Sequence, residues 1–158
     1  MEASIAITGP HSGKAAACEP ILRALPGWFG IEAAIVNYVR SIDELPTFLA
    51  VMDEQVVGFL TLKQHTDYSA EIYVMAVAPQ VHRAGIGREL VREAERALRE
   101  SKVEYLQVKT LAASHPSPEY AKTRAFYVAQ GFRPLEEFPN LWPGNPCLLM
   151  VKYLGQEG

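Results

Sequence analysis

The sequence has little of what marks a secreted, membrane-spanning or redox-active protein. Its two cysteines, Cys18 and Cys147, lie far apart and fit no metal or redox spacing, so buried free thiols are a better expectation than a disulfide. No apolar stretch reaches the length that crosses a membrane, and the N-terminus has no basic segment followed by an apolar one. These absences favour a cytoplasmic protein with no membrane partner.

Charge and motif content exclude further classes of function. The net charge of −3 provides no general attraction to nucleic acid. There is no His-Glu-x-x-His motif, cysteine pair or acidic cluster, so no metal is expected, and no Gly-x-Ser-x-Gly motif suggests a hydrolase. The segment 9–14 resembles a phosphate loop, but it has too few residues between its glycines, and Ala15 replaces the magnesium-binding Ser or Thr. We interpret it as a turn and the start of a helix.

A length of 158 residues predicts one domain, residues 1–158, that is large enough for a hydrophobic core. The composition, with 49% hydrophobic and 21% charged residues, is ordinary for a globular protein. Strand and helix patterns alternate along the chain, which predicts an α/β fold around one mixed sheet. Asp53 to Gln55 make a polar turn between two strands, and Gly58 suggests a bulge or a close contact. We predict strands at 4–8, 46–52, 56–63, 70–78, 103–110, 132–138 and 147–154, helices at 14–25, 31–40, after Gly87 and at 121–130, and a loop at 139–146.

The stretch 77–88 carries the clearest functional pattern. A β-type run ends at Pro79, a short basic turn with Gly85 and Gly87 follows, and an amphipathic helix begins. Glycines let a ligand approach the backbone, and a helix N-terminus attracts anions, so the turn is suited to a phosphate or pyrophosphate. A plain tight turn remains the alternative. A dinucleotide fingerprint is disfavoured, because Leu90 stands where a third glycine is needed.

Two blocks resemble a known family. The first, His82-Arg83-Ala84-Gly85-Ile86-Gly87, resembles the acyl-CoA pyrophosphate loop of the GNAT superfamily of N-acetyltransferases, which usually reads Gln/Arg-x-x-Gly-x-Gly/Ala. The second, residues 123–132, is similar to the family's late helix, in which a Tyr is followed by three residues and Gly-Phe. His82 departs from the usual first residue of the loop, and Tyr120 stands where the family often has Asn.

The resemblance implies a GNAT-like mixed central sheet flanked by helices, with acetyl-CoA as cosubstrate. The strands at 70–78 and 103–110 would splay apart and hold the acyl-CoA, whose pantetheine arm would pair with the backbone of Met75 and Val77. The pyrophosphate would be bound by His82, Arg83, Ala84, Gly85, Ile86, Gly87 and Arg88.

The resemblance also suggests two catalytic residues. Glu71 matches the position of the catalytic Glu in histone-type members, and strand alternation places it on one face with Tyr73, Met75 and Val77. A solvated Glu with a water relay as base is the alternative, and His65 and His115 are fallback bases that otherwise read as exposed loop histidines. Tyr127 matches the family's acid, which would protonate the leaving thiolate, although a core tyrosine beside Phe126 and Phe132 explains it too.

We therefore predict an acetyl-CoA-dependent N-acetyltransferase that acts on a primary amine. A non-catalytic acyl-CoA-binding module of the same fold and a protein that binds phosphate ligands through the 82–88 loop are the alternatives. The acceptor amine and the oligomeric state, a homodimer included, stay open. Trp28, Phe29 and Trp142 suit an apolar-walled pocket, but core packing explains them as well and is favoured for the first two.

Overall fold

The computed structural model describes residues 4–82 and 84–155 and shows a mixed α/β fold, in which helices flank a seven-stranded sheet. The strands lie in the order β1-β2-β3-β4-β5-β7-β6, and β4 runs parallel to β5. The strands are β1 Ile5–His11, β2 Thr47–Met52, β3 Gln55–Gln64, β4 Ser69–Val77, β5 Tyr105–Leu111, β6 Arg133–Trp142 and β7 Asn145–Tyr153, and the helices are α1 Ala15–Arg23, α2 Glu32–Glu44, α3 Ile86–Glu100 and α4 Pro118–Ala129.

The contacts divide the chain into two compact units. The first contains Met1–Lys63 and Tyr73–Ala97, and the second contains Gln64–Ile72 and Leu98–Gly158. Strand β4 and helix α3 each contribute residues to both units. Across residues 4–82 and 84–155, no helix is both long and apolar enough to span a bilayer.

The first unit is built on the predicted hairpin. Strands β2 and β3 pair antiparallel, and Asp53 and Glu54 make the tight turn with φ of +51° and +64°. The register shifts beside Gly58, as expected of a bulge. Helices α1 and α2 bury their apolar faces in the same core, which includes Cys18, Ile21, Leu22, Ile42, Leu49, Phe59 and Val74.

Gly58 also explains how α3 approaches the sheet. A Cβ at this position would lie 3.1 Å from Cγ2 of Ile86 and 3.3 Å from the carbonyl oxygen of Ala76. The missing side chain therefore lets the first turn of α3 pack closely on β3 and β4. Ile86 and Leu90 are fully buried there, which anchors the turn before α3.

The second unit contains β5, β6, β7 and α4. Strand β5 pairs with the first half of β4, from Ser69–Tyr105 to Ile72–Val108, and with β7 along its whole length. Helix α4 begins at Pro118, three residues before the predicted start at 121, because the Ser117 hydroxyl accepts a hydrogen bond from the Tyr120 N–H and Pro118 occupies the first turn. The splay of β4 and β5 that the resemblance implies stays a prediction.

Two sequence predictions need correction. The expected loop at 139–146 is wrong, because β6 continues to Trp142, which pairs with Asn145 across a tight turn that has Gly144 at φ +76°. Pro139 is tolerated because β6 is the last strand in the sheet order, where a missing N–H breaks no second ladder. The segment 9–14 is also not simply a turn, since β1 continues to His11, which pairs with Thr47.

Candidate active site

The turn between β4 and α3 belongs to the first unit and has the predicted strand–turn–helix form. A single 3₁₀ turn, Pro79–Val81, follows the strand, and the Ala84 N–H donates to the Val81 carbonyl. Gly85 has φ of +79°, a left-handed conformation that glycine adopts without strain. The Glu89 N–H then bonds to the Gly85 carbonyl at 3.1 Å, so the helical ladder starts at once and its first N–H groups lack intrahelical acceptors.

Space is open beside this turn. A Cβ on Gly85 would have Nη2 of Arg88, 3.9 Å away, as its nearest neighbour. The Arg88 side chain is exposed, and its Nε lies 3.8 Å from the Glu89 carboxylate, a weak, solvent-screened pair. The arrangement can accept an anion over the N-terminus of α3. Arg83, predicted for the same site, lies outside the described residues.

His82 has a local role that the sequence did not reveal. Its ring Nε2–H donates to the Val77 carbonyl at 2.7 Å, and the ring meets Trp28 edge-on with centroids 6.0 Å apart. The histidine therefore ties the turn back to the end of β4. The Val77 carbonyl, predicted to pair with pantetheine, retains a second lone pair for another donor.

The aromatic loop of the first unit packs as core, the interpretation favoured from the sequence. Trp28 and Phe29 are partly buried against the core of this unit. The rings of Phe29 and Tyr38 meet at 5.8 Å, and Tyr38 meets Tyr73 of β4 at the same distance. Ser41 of α2 and the Tyr73 hydroxyl are hydrogen-bonded at 3.2 Å, so α2 fixes this part of β4.

Glu71 lies in the second unit and is not the solvated side chain that the alternative required. It is buried, and its Oε1 accepts hydrogen bonds from Nε2 of His65 at 2.7 Å and from Nζ of Lys109 at 3.1 Å. The strand register explains Lys109, because Glu71 pairs with Gln107, and Lys109 is the next residue of β5 on the same face. The two contacts hold the Glu71 carboxylate in one defined orientation.

The Glu71 carboxylate also has an electrostatic effect on Cys147. Burial raises the pKa of its thiol, Lys109 counteracts this, and the Glu71 carboxylate adds to the rise. The thiol is fully buried and free, as the sequence predicted, and Cys18 in the first unit is too. Burial raises the pKa of Cys18 to about 12. Both sulfurs are therefore protonated and unreactive near neutral pH.

Tyr127 lies in the last turn of α4 and is buried, with 5% of its surface exposed. Its ring lies edge-on to Phe126 and Phe132, with centroids 5.3 and 5.4 Å apart. The Phe132 N–H bonds to the Tyr127 carbonyl, and Gly131 at φ +98° ends the helix between them. These contacts match the core-tyrosine alternative, and the acid role stays a prediction. Burial raises the pKa of Tyr120, which lies two turns earlier on the same face of α4.

The fallback bases differ in their surroundings. His115 is exposed in the loop before α4, as predicted, whereas His65 contacts Glu71 directly. Lys109 was not predicted at all, since only the register of two strands far apart in sequence brings it to Glu71. Within the residues that the structure describes, no three His, Cys, Asp or Glu side chains form a metal-binding group.

The comparisons with known proteins agree on one family. The acetyltransferase (GNAT) domain model matches residues 43–134. The chain matches no curated protein sequence. Among solved structures, a GNAT-family protein from Desulfovibrio desulfuricans has a TM-score of 0.84 at 18% identity, with 96% of this chain and 100% of that chain covered.

Two further solved structures share the fold at equally low identity. The ribosomal-protein-S18-alanine N-acetyltransferase of Escherichia coli has a TM-score of 0.79 at 18% identity, covering 98% of this chain and 97% of that chain. The PaiA N-acetyltransferase of Thermoplasma acidophilum, in complex with coenzyme A, has a TM-score of 0.74 at 18% identity, covering 95% and 99%. The family match spans more than half of the chain and contains the Gly85–Gly87 turn and Tyr127, so this protein belongs to the GNAT acetyltransferase family.

Proposed function

We propose that the protein transfers an acetyl group from acetyl-CoA to a primary amine, by direct attack of the amine on the thioester. The observation that carries the proposal is the turn before α3, where Gly85 leaves open space at a helix N-terminus inside the region matched by the family. Acetyl-CoA as cosubstrate is supported by family membership and by a related structure that contains coenzyme A.

In this proposal the turn binds the pyrophosphate of the cosubstrate. The backbone N–H groups at the start of α3 and the cationic side chains contribute the attraction for the anion. The residues proposed to bind it are His82, Arg83, Ala84, Gly85, Ile86, Gly87 and Arg88. The backbone of Met75 and Val77 is proposed to pair with the pantetheine arm, which would add to affinity beyond that of a nucleotide alone.

Glu71 is proposed as the general base. An amine attacks only when it is neutral, so its proton must be removed, and a carboxylate is a suitable acceptor. The structure supports this with a buried Glu71 whose two contacts, from His65 and Lys109, are both made to Oε1. Within the described residues this leaves Oε2 to receive a proton, whereas a fully solvated Glu would have no defined orientation.

Tyr127 is proposed as the general acid. A neutral phenol has a pKa of about 10, so it is protonated at neutral pH and can donate to the departing thiolate. Its place before Gly131-Phe132 supports this assignment, because the family's acid stands at the same position. The packing of its ring on Phe126 and Phe132 would fix the direction of the hydroxyl.

The test is release of free CoA thiol from acetyl-CoA over a panel of small amines, polyamines, amino acids and peptides with free N-termini or lysines. We expect acceptor-dependent release with at least one class, and mass spectrometry should find one added acetyl group on the acceptor. Acetyl-CoA without acceptor is the control for hydrolysis.

Two results would contradict the proposal. Tight binding of acetyl-CoA without thiol release for any acceptor would favour the non-catalytic acyl-CoA-binding module. Equal affinity for ADP and CoA would favour a simple phosphate-binding protein, since the pantetheine arm would then contribute nothing to binding. Calorimetry with acetyl-CoA, CoA and ADP therefore accompanies the activity assay.

A further inference from the structure

We infer that the His65 ring carries the proton from Glu71 to solvent, so that His65 acts through Glu71 and not on the substrate. The inference rests on the proposed function of Glu71 as base. A base that is used in every turnover must lose its proton before the next one. The Glu71 side chain is only 8% exposed, so direct release to water is restricted. A side chain that contacts both Glu71 and solvent provides the exit.

The two described side chains that contact Glu71 differ in their ability to do this. Lys109 as an ammonium has three donors and no acceptor, so it holds the carboxylate but cannot take a proton from it. The His65 imidazole has two nitrogens, and one can accept a proton while the other releases one. Its side chain is 31% exposed, four times the exposure of Glu71, so the ring connects the buried oxygen to water.

The turn that carries His65 holds the ring in place. The His65 N–H donates to the Ser69 carbonyl at 2.9 Å, at the entrance to β4. The Thr66 hydroxyl accepts hydrogen bonds from the N–H groups of Tyr68 and Ser69, both at 3.1 Å. A Thr side chain that satisfies two backbone donors stabilises a defined turn. The 2.7 Å contact with Glu71 is therefore the product of an ordered turn between β3 and β4.

The proton balance closes over one cycle. The ammonium form of the acceptor loses a proton, and the Glu71 carboxylate becomes a carboxylic acid. The resting His65 ring first exchanges with water from its Nε2–H to its Nδ1–H tautomer, with no net change in protons. Nε2 then accepts the carboxyl proton once that proton lies on Oε1, and the Nδ1 proton passes to water. One proton enters from the amine and one leaves to solvent, so Glu71 is again a carboxylate with the His65 Nε2–H donating to it.

His65→Gln distinguishes proton transfer from simple hydrogen bonding. The Gln amide can still donate to Glu71 but cannot exchange a proton. We expect kcat to fall about 10²-fold at low buffer concentration, within the usual range for acid–base catalysis, with the KM for acetyl-CoA and the melting temperature little changed. High concentrations of imidazole should restore much of the lost rate. His11→Gln is the matched control, since His11 is an exposed histidine of the first unit.

Each outcome decides a different point. If His65→Gln has the wild-type kcat at low buffer, the proton does not leave through His65 and the inference is wrong. If Glu71→Gln is also fully active, the proposed base fails as well. If no acceptor supports thiol release even in the wild-type protein, the proposed function fails first.

A measurement without turnover tests the contact itself. Nitrogen-15 shifts of the His65 imidazole at a fixed neutral pH report which ring nitrogen carries the proton. We expect Nε2 in the wild-type protein, because the carboxylate lies 2.7 Å from it, and a changed distribution in Glu71→Gln. Identical shifts in the two proteins would overturn the inference whether or not an acceptor is known.

Discussion

Tyr127 presents its ring to Phe126 and Phe132, so removing only its hydroxyl separates chemistry from packing. For Tyr127→Phe we expect kcat to fall about 10²–10⁴-fold, because the leaving thiolate would lose its proposed proton donor. The affinity for acetyl-CoA and the melting temperature should change little, because the hydroxyl acts mainly as the C–S bond breaks. Kinetics, calorimetry and thermal unfolding together check this.

Tyr68→Phe is the control for the loss of a phenol hydroxyl, since Tyr68 is 61% exposed in the same unit. Equal kcat in wild type and Tyr127→Phe would exclude the acid role. A matched fall in melting temperature and cosubstrate affinity would instead identify Tyr127 as a core residue.

Glu71 is tested through the pH dependence of the rate. Glu71→Gln keeps the shape of the side chain and removes its basicity, so the rate should fall at neutral pH. It should partly recover at high pH, where more of the acceptor amine is already neutral. The charged and titratable groups around the carboxylate are His65, Lys109 and Cys147, so a full pH profile of kcat/KM is needed.

The matched control is Glu136→Gln on the exposed strand β6, which should leave the profile unchanged. A Glu71→Gln variant with the wild-type profile would assign the base to a water relay. Glu71 would then hold His65 and Lys109 in place without taking part in proton transfer.

At the scale of elements, the turn before α3 predicts the effect of Gly85→Asp. Gly85 has φ of +79°, which Asp and Asn tolerate better than most residues, and the space beside it is open, so folding should survive. The added carboxylate would lie where the pyrophosphate is proposed to bind. Two like charges ~4 Å apart repel by about 4 kcal/mol at an effective dielectric constant of ~20, so we expect acetyl-CoA to bind at least about tenfold more weakly by calorimetry.

Gly85→Asn is a close control, because it has the same shape and backbone preference without the charge. The expected order of affinity is wild type, then Asn, then Asp. Wild-type affinity in the Asp variant would show that the anion binds elsewhere.

At the scale of the whole molecule, we propose that residues 1–158 unfold as a single domain. Strand β4 and helix α3 each continue from one compact unit into the other, so opening either unit breaks a continuous element. Each unit contains one buried free thiol, Cys18 in the first and Cys147 in the second. Both thiols should resist labelling in the native protein and become reactive in the same denaturant transition.

Single-cysteine variants, Cys18→Ala and Cys147→Ala, assign the labelling to each thiol. Different midpoints for the two sites would show that the two units unfold separately. Fast labelling of either thiol in native buffer would contradict its burial, since a buried thiol with a raised pKa reacts slowly.

Local sequence patterns determined most of the elements and the turn before α3. Backbone preferences and the helical period act over a few residues, so their effects can be predicted from the sequence alone. Examples are Pro79, the glycines at 85 and 87 and the apolar stripe of α3. The two segments that resemble the family, 82–87 and 123–132, could be recognised for the same reason, because each is a short continuous pattern.

The tertiary structure alone decided the surroundings of Glu71 and the length of β6. Lys109 is 38 residues from Glu71, and its contact depends on the register between two parallel strands, which no local pattern encodes. From the sequence, Pro139 is expected to end a strand, because proline has no N–H for a sheet ladder. In the structure β6 is the last strand of the sheet, so no second neighbouring strand requires that N–H. Strand order and register arise from packing between segments that are distant in sequence, which no local pattern contains.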